Sequence, residues 1–334
     1  MKTLSTALAI LLTPGFVGIA PAQTVGAAPV RLVPAVGATN ATKHVDLLAG
    51  KRVMILGDSI TQDGTYVSYL EYFLTKSHPD KSFDIINVGL ASETASGLSE
   101  QGHAGGAFPR PCIHERLQRA LDAVRPQVVV ACYGMNDGIY QAYSAANMQA
   151  FVDGISKLAD TCKAAGAQVI LVTPPIFEGG DYDQVLGKFA EWEVTHPPKG
   201  VVAVADLHTA MNAARAERQK ADPKFRFSGD NVHPGPLGHI VMAQAILQGL
   251  GISMPRGSAE ELQETARADA LFDLVCQHRS NRSNGWLNDI GYTRERTVAP
   301  KTGNIEAVET AVREIQAKIA GVSLSANRQL LLAG

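Results

Sequence analysis

The segment RVMILGDSIT, residues 52–61, starts as an almost continuous apolar run and ends in small and polar residues. An apolar run without polar alternation is typical of a strand that is covered on both faces, as in a parallel sheet. Gly57 allows a tight exit from this strand. Ser59 then falls at the N-terminus of the next helix, where it is either a simple helix cap or a hydroxyl beside a free backbone N–H.

The same kind of strand recurs along the chain. Further Val- or Ile-rich runs follow at 83–89, 127–134, 168–174 and 201–207. Apolar residues at helical spacing occur at 65–76, 112–124, 147–165, 208–220 and 235–249. This alternation predicts an α/β fold, a three-layer α/β/α domain over residues 51–252 with a five-stranded parallel sheet and right-handed crossovers. Because ligands bind at the carboxyl ends of the strands in such sheets, functional residues are expected in the loops that follow them.

A C-terminal helical extension, residues 253–334, is predicted beyond this domain. Apolar residues recur at helical spacing over 259–277 and again over 304–319. The long connection between these two helices contains Arg279, Trp286 and other polar and aromatic residues. It is either part of an appendage packed on the main domain, which is the simpler interpretation, or a loop that returns to the substrate cleft.

The N-terminal residues have the pattern of a sorting signal. Lys2 precedes an uncharged stretch rich in Leu, Ile and Ala, and Ala-Pro-Ala follows at 20–22. This pattern predicts a signal peptide over residues 1–22, followed by a linker or arm over 23–50, and hence export to a bacterial periplasm or beyond. The alternative is a retained membrane anchor, but Pro14 interrupts the apolar run, so no stable anchor is expected.

Composition and motifs exclude several classes of protein. The net charge of −2 provides no basic excess with which to bind nucleic acid. The four cysteines form no Cys-x-x-Cys motif, which excludes a zinc ribbon. His114-Glu115 begins like a zinc-protease helix, but Gln118 stands where the second histidine ligand is needed. No cofactor and no metal site is therefore predicted.

Residues that could take part in a reaction follow several of the predicted strands. Gly89 follows the second strand, Asn136 the third, and Asp230 and His233 lie beyond the fifth. Each of these residues alone is more simply explained as a turn former or a surface residue. Together with Ser59 they provide a nucleophile, a base, a carboxylate to orient the base, and three donors to an oxyanion.

Four segments of this chain resemble the sequence blocks of the SGNH hydrolases, also called the GDSL esterase family. They are GDSIT at 57–61, NVG at 87–89, GMND at 134–137 and DNVHP at 230–234. The resemblance implies a flavodoxin-like sheet of strand order 2-1-3-4-5 and ester hydrolysis without a metal. It also implies that Ser59 is the nucleophile, His233 the base and Asp230 its orienting partner. The oxyanion hole would consist of the backbone N–H groups of Ser59 and Gly89 and the side chain of Asn136.

The Gly- and Pro-rich stretch 101–116 bears on the substrate. His103, Arg110 and His114 in this stretch are candidate substrate-binding residues, or they belong to a structural loop with surface charges. A polar rim of this kind suits a sugar, so an acetylated carbohydrate is the predicted ester substrate and the protein is predicted to be a carbohydrate O-acetylesterase. The alternatives are a short-chain lipid or aryl esterase or lysophospholipase and, from a different class, a non-catalytic glycan-binding module.

Overall fold

The computed structural model describes residues 44–291 and 305–333 of the chain. The predicted signal peptide and residues 23–43 of the predicted arm lie outside this part. Residues 44–47 form a single turn of 3-10 helix, and the side chains of Val45 and Leu48 are buried against the domain.

The strands form one parallel sheet of order β2-β1-β3-β4-β5. The strands are β1 (Arg52–Gly57), β2 (Asp84–Asn87), β3 (Val128–Cys132), β4 (Gln168–Val172) and β5 (Val201–Ala205). This sheet confirms both the five predicted strands and the order that the resemblance implies. The chain moves from β1 to β2 on one side and then returns past β1 to β3 on the other. The crevice that such sheets use for ligands therefore lies beyond the carboxyl end of β1.

Helices cover both faces of the sheet. They are α1 (Ser59–Asp63), α2 (Thr65–Ser77), α3 (Leu117–Val124), α4 (Ala145–Ala164), α5 (Tyr182–Thr195), α6 (Leu207–Gln219), α7 (Pro236–Gly249), α8 (Ala259–Arg267), α9 (Ala270–Ile290) and α10 (Ile305–Ala333). The helices α2 and α7 pack on each other, whereas α3, α4 and α5 pack in succession. Right-handed crossovers place these two groups on opposite faces of the sheet. The predicted three-layer α/β/α fold is confirmed.

Three predicted helical boundaries are wrong. The helix predicted at 259–277 is split into α8 and α9, because Asp269 caps a new helix by accepting the backbone N–H of Leu271 at 3.0 Å. Residues 278–290, predicted to be part of a connection, continue α9, and α10 extends well past residue 319. The helix α5 was not predicted, although its buried residues at 182, 185, 186 and 189 follow helical spacing.

The C-terminal helices are tied to the open edge of the sheet at β2. Arg282 of α9 donates from Nη1 to the backbone carbonyl of Ile85 at 3.2 Å and lies 2.6 Å from a carboxylate oxygen of Asp84. Its Nη2 donates to Glu309 of α10 at 2.9 Å, and Trp286 Nε1 donates to the same carboxylate at 2.6 Å. This buried network explains why α9 and α10 pack on the domain, as the simpler of the two interpretations predicted.

The four cysteines are unpaired in the structure, and Cys132 is buried in β3 as its apolar surroundings suggest. Among the helices of residues 44–291 and 305–333, none combines the length and the apolar composition needed to span a bilayer.

Glu193, on the inner face of α5, is an exception to the apolar core. Its side chain is fully buried, and neither carboxyl oxygen has a hydrogen-bond partner among the described residues. Burial, together with the negative charges of Asp137 and Asp206, raises the pKa of Glu193 well above its usual value. The folded state therefore keeps a proton that the unfolded state releases once the pH rises above the ordinary glutamate value of about 4.3.

We expect Glu193→Gln to raise the free energy of unfolding at pH 8 by about 1–3 kcal/mol, because it removes the penalty for an ionisable group without partners. The gain should disappear near pH 4, where the carboxyl is protonated in both states. Urea unfolding at the two pH values measures this difference. The control is Glu191→Gln in the same helix, whose side chain is 62% exposed and pairs with Lys188. A gain that is independent of pH, or equal in the control, would contradict the argument.

Candidate active site

Ser59 occupies the first position of α1, directly beyond the carboxyl end of the interior strand β1. Asp58, not Ser59, is the residue that caps this helix, because its carboxylate accepts the backbone N–H of Ile60 at 3.0 Å. The short helix ends at Gly64, whose φ of 72° lies in the left-handed region. The Ser59 hydroxyl is therefore not used for capping. The backbone N–H of Ser59 is among the first amides of the helix, which have no acceptor within it.

The loop after β5 and α6 brings an imidazole to this hydroxyl. Ser59 Oγ lies 2.8 Å from His233 Nε2, across 174 positions of sequence. His233 Nδ1 lies 2.6 Å from Asp230 Oδ2. The other carboxylate oxygen, Oδ1, accepts the backbone N–H groups of Val232 at 2.9 Å and His233 at 2.8 Å. Asn231, which lies between Asp230 and Val232, has a φ of 78°, a left-handed conformation that asparagine tolerates better than most residues. The predicted nucleophile, base and orienting carboxylate thus form one hydrogen-bonded chain.

The ionisation of Asp230 sets the tautomer of the imidazole. Desolvation acts to raise the pKa of Asp230, but the hydrogen bonds from the ring and backbone of His233 and from Val232 and Ser228 outweigh it and hold the pKa well below its usual value. An ionised carboxylate only accepts hydrogen bonds, so Nδ1 of a neutral His233 carries the proton. Nε2 is then free to accept the proton of Ser59. The side chains of His233 and Asp230 are 50% and 58% exposed, so the described residues leave this pair open to solvent.

The turn with Gly89 packs directly against α1. A Cβ atom at this position would lie 2.5 Å from the backbone N of Gln62, so only glycine fits. Asn87 joins the two segments, since its Nδ2 donates to the carbonyl of Thr61 at 2.6 Å. The N–H of Gly89, a predicted oxyanion donor, donates in this structure to Asn87 Oδ1 at 3.1 Å. It must exchange this partner in order to bind an oxyanion.

Asn136, the third predicted oxyanion donor, is buried and fully engaged at its oxygen. Its Oδ1 accepts from Arg110 Nη1 at 2.9 Å and from the hydroxyl of Tyr140 at 3.1 Å. Its Nδ2 donates to the backbone carbonyl of Glu93 at 3.2 Å. An amide nitrogen carries two hydrogens, so one N–H of Asn136 remains for a ligand.

Buried carboxylates shape the loops around this centre. Asp137 accepts the backbone N–H groups of Gly134, Ala95 and Ser96 at 2.7–2.8 Å, which joins the loop after β3 to the loop after β2. Burial raises the pKa of Asp58 to about 7, against the opposing hydrogen bond from Ile60. Among the described residues, no group of His, Cys, Asp and Glu side chains has the arrangement of a metal site.

The three candidate substrate-binding residues lie in different surroundings. Arg110 is buried, and its guanidinium pairs with Glu100 as well as with Asn136. His103 Nδ1 lies 3.3 Å from the same Glu100 carboxylate, at the edge of an exposed Gly-rich turn. His114 is not brought to this cluster, because its Nε2 bonds to the carbonyl of Gly154 on α4 at 3.1 Å. A substrate-binding role for these three residues stays a prediction.

A buried ion pair that the sequence pattern did not indicate supports the loop after β2. Arg116 donates to both carboxylate oxygens of Glu93 at 2.6 and 2.7 Å, and also to the carbonyl of Val88 at 2.8 Å. Tyr133 donates to the same carboxylate at 2.6 Å. The pair therefore fixes the residue before Gly89 and the carbonyl that Asn136 contacts. An arginine in the predicted helix 112–124 gave no signal for this role.

Comparisons with known proteins identify a family and several similar proteins. The model of the GDSL-like Lipase/Acylhydrolase family matches residues 55–241, a range that contains all four sequence blocks. Acetylxylan esterase from Geobacillus stearothermophilus is 23% identical over 234 residues, which are 62% of this chain and 97% of that protein.

Solved structures are also similar to this chain. A gut microbial diltiazem-metabolizing enzyme superposes with a TM-score of 0.50 at 20% identity, covering 61% of this chain and 47% of that one. The present chain thus spans about half the length of that enzyme. A crystal structure of the Geobacillus stearothermophilus acetylxylan esterase gives a TM-score of 0.45 at 20% identity, covering 63% of this chain and 99% of that one.

Proposed function

Because this chain belongs to the GDSL-like lipase/acylhydrolase family and is thus an ester hydrolase, we propose that it is a serine-dependent carbohydrate O-acetylesterase. The observation that carries the proposal is the continuous chain of hydrogen bonds from Ser59 through His233 to Asp230. Nucleophile, base and orienting group at these distances are the arrangement that serine acyl transfer requires.

In the proposed first step, His233 Nε2 takes the proton of Ser59 as the serine oxygen attacks the ester carbonyl carbon. The carbonyl oxygen becomes negatively charged and is bound by the backbone N–H groups of Ser59 and Gly89 and by Nδ2 of Asn136. Asp230 stabilises the imidazolium that forms. The intermediate then collapses, the alcohol leaves with the proton from His233, and an acyl group remains on Ser59.

Water completes the proposed reaction by the same route. His233 accepts a proton from water as the water oxygen attacks the acyl-enzyme carbonyl, and the same donors bind the second oxyanion. The bond to Ser59 Oγ breaks, and His233 returns the proton to the serine oxygen. Acetate is released and the enzyme regains its starting state without a cofactor.

The openness of the site supports a small acyl group on a bulky alcohol. Half or more of the side chains of His233 and Asp230 is exposed, so a polymer has access to Ser59 from solvent. An exposed turn at 101–107, which is rich in glycine and alanine, borders Glu100 and hence the partners of Asn136. The similarity to an acetylxylan esterase over nearly the whole of that protein points to the same class of substrate.

Export of the enzyme is part of this proposal, since an acetylated polysaccharide is an extracellular substrate. It rests on the sequence of residues 1–22. The N-terminal sequence of the protein recovered outside the cytoplasm tests it: a start at Gln23 supports export with cleavage, and an intact Met1 contradicts it.

The substrate proposal is tested by acetate release from a panel of acetylated polysaccharides and by the acyl-chain preference on p-nitrophenyl esters. We expect acetate release from at least one polysaccharide. We also expect a fall in kcat/KM from acetyl to octanoyl esters, because an enzyme that removes acetyl groups does not need to bind a long acyl chain. Activity that rises toward the octanoyl ester would contradict an acetylesterase and favour a lipid esterase. Parallel assays of Ser59→Ala exclude release by contaminating esterases.

A further inference from the structure

The partners of Asn136 point to a further residue on which the oxyanion hole depends. We infer that Arg110 is a positioning residue that holds the Asn136 amide with Oδ1 turned away from the substrate and Nδ2 turned toward it. This inference rests on the proposed function, in which Nδ2 binds the oxyanion. Tyr140 assists, because its hydroxyl donates to the same oxygen at 3.1 Å.

The chemistry of arginine allows only one orientation of the Asn136 amide. A guanidinium only donates hydrogen bonds, so the atom that faces Arg110 Nη1 at 2.9 Å must be the oxygen of the amide. Turning the amide over would set its two N–H groups against a cation and leave the carbonyl of Glu93 facing an oxygen. Without Arg110, the amide loses the charged one of the two contacts that oppose the reversed orientation, in which no N–H points to the substrate.

Arg110 is itself held on several sides. Its Nε and Nη2 each donate to the Glu100 carboxylate at 2.6 Å, a bidentate pair that fixes the plane of the guanidinium. The guanidinium lies over the ring of Tyr140, 5.4 Å from its centroid. The Arg110 side chain is only 6% exposed, and its backbone N–H donates to Ser99 Oγ at 2.9 Å. The group is thus preorganised before a substrate arrives, as catalytic donors require.

A cation bonded to the amide oxygen has a second effect. It draws electron density toward Oδ1 and makes the N–H groups on Nδ2 stronger donors, as in other hydrogen-bond chains. The benefit grows as negative charge develops on the substrate oxygen in the transition state. Loss of Arg110 is therefore expected to lower kcat rather than to raise KM.

A double-mutant cycle between Arg110 and Asn136 tests the inference with p-nitrophenyl acetate. Asn136→Ala alone is expected to lower kcat by about 10²–10³-fold, the usual effect of removing one oxyanion donor. Arg110→Met alone is expected to lower kcat by about 10–100-fold with little change in KM. If Arg110 acts through Asn136, adding Arg110→Met to the Asn136→Ala variant should lower kcat by less than about threefold further.

Tyr140→Phe is a milder variant that keeps the ring beneath Arg110. It is expected to lower kcat by about 3–10-fold in the wild type, the value of one hydrogen bond, and to have no effect in the Asn136→Ala background. It keeps the inference testable if Arg110→Met does not fold, which circular dichroism and thermal melting report.

Arg218→Met is the matched control. Arg218 also donates to both oxygens of a glutamate, Glu260, and lies over the rings of Phe225 and Phe227, but it does not contact Asn136. Its loss should lower the melting temperature and leave kcat within about twofold.

The outcomes separate this inference from the proposed function. Multiplicative losses for Arg110→Met and Asn136→Ala, or a rise in KM alone, would overturn the positioning role while leaving the oxyanion hole in place. Wild-type activity of Asn136→Ala would overturn the oxyanion assignment itself, and the positioning role with it. Non-additive losses in kcat support the inference.

Discussion

Replacing Ser59 with alanine is expected to lower kcat on p-nitrophenyl acetate by about 10⁴-fold or more, with KM and the fold almost unchanged. In the proposed mechanism, the substitution removes the atom that forms the bond to the acyl group. We expect α1 to keep its length, and its cap stays intact because Asp58 provides it. Some hydrolysis remains, since water activated by His233 still has access to a carbonyl held by the oxyanion donors. Steady-state kinetics and an assay for a covalent acyl-enzyme measure the two effects.

Ser144→Ala is the control for this prediction. Ser144 is also a serine at a helix N-terminus, where its Oγ accepts the backbone N–H of Asn147 and caps α4. Its loss should lower the stability by about 1 kcal/mol and leave kcat unchanged. A Ser59→Ala enzyme that retains a tenth of the activity, or a control that loses as much, would contradict the nucleophile assignment.

Asp230→Asn is expected to lower kcat by about 10³–10⁴-fold without disrupting the loop. The backbone N–H groups of Val232 and His233 only donate, so the carbonyl oxygen of the new amide takes the place of Oδ1. Its NH₂ group then faces His233 Nδ1, which must accept. The ring proton moves to Nε2, and the imidazole can no longer take the proton of Ser59. The pH–rate profile and the tautomer, observed by nitrogen NMR of the ring, measure this change.

Asp222→Asn provides the matched control for Asp230→Asn. Asp222 also accepts the backbone N–H two residues further on, that of Lys224 at 3.0 Å, and it too is exposed, but it bonds to no histidine. We expect its kcat to stay within about twofold of the wild type. If Asp230→Asn remains nearly as active as this control, solvent rather than Asp230 sets the tautomer in this open site.

The core of the fold was predictable because its signal is local. Each strand is a short uninterrupted apolar run, and a parallel sheet brings the residues after those runs to one edge whatever their separation in sequence. For this reason Ser59 and His233 were expected together, and the structure brings them within hydrogen-bond distance. Their catalytic roles stay predictions until the substitutions are measured.

The features that could not be predicted from the sequence depend on particular side-chain contacts, which residue type and apolar spacing do not reveal. Arg110 was a candidate substrate contact or part of a structural loop, and its contact with Asn136, 26 positions away, was not predicted. The engagement of the Gly89 N–H by Asn87 is likewise a side-chain contact within a turn, which residue type alone does not reveal. The boundary between α8 and α9 was missed because the apolar spacing continues across it, and only the capping contact of Asp269 divides the helix.

The contact of Arg282 with the carbonyl of Ile85 has a consequence for association between molecules. An uncovered outer strand offers a row of backbone donors and acceptors to any other extended chain, which is how sheets add strands and aggregate. Here α9 lies along β2, and a buried cation already occupies one of the acceptors on that strand. We therefore expect a shortened chain that ends after α7 to expose the outer edge of β2 and to aggregate more readily than the full chain.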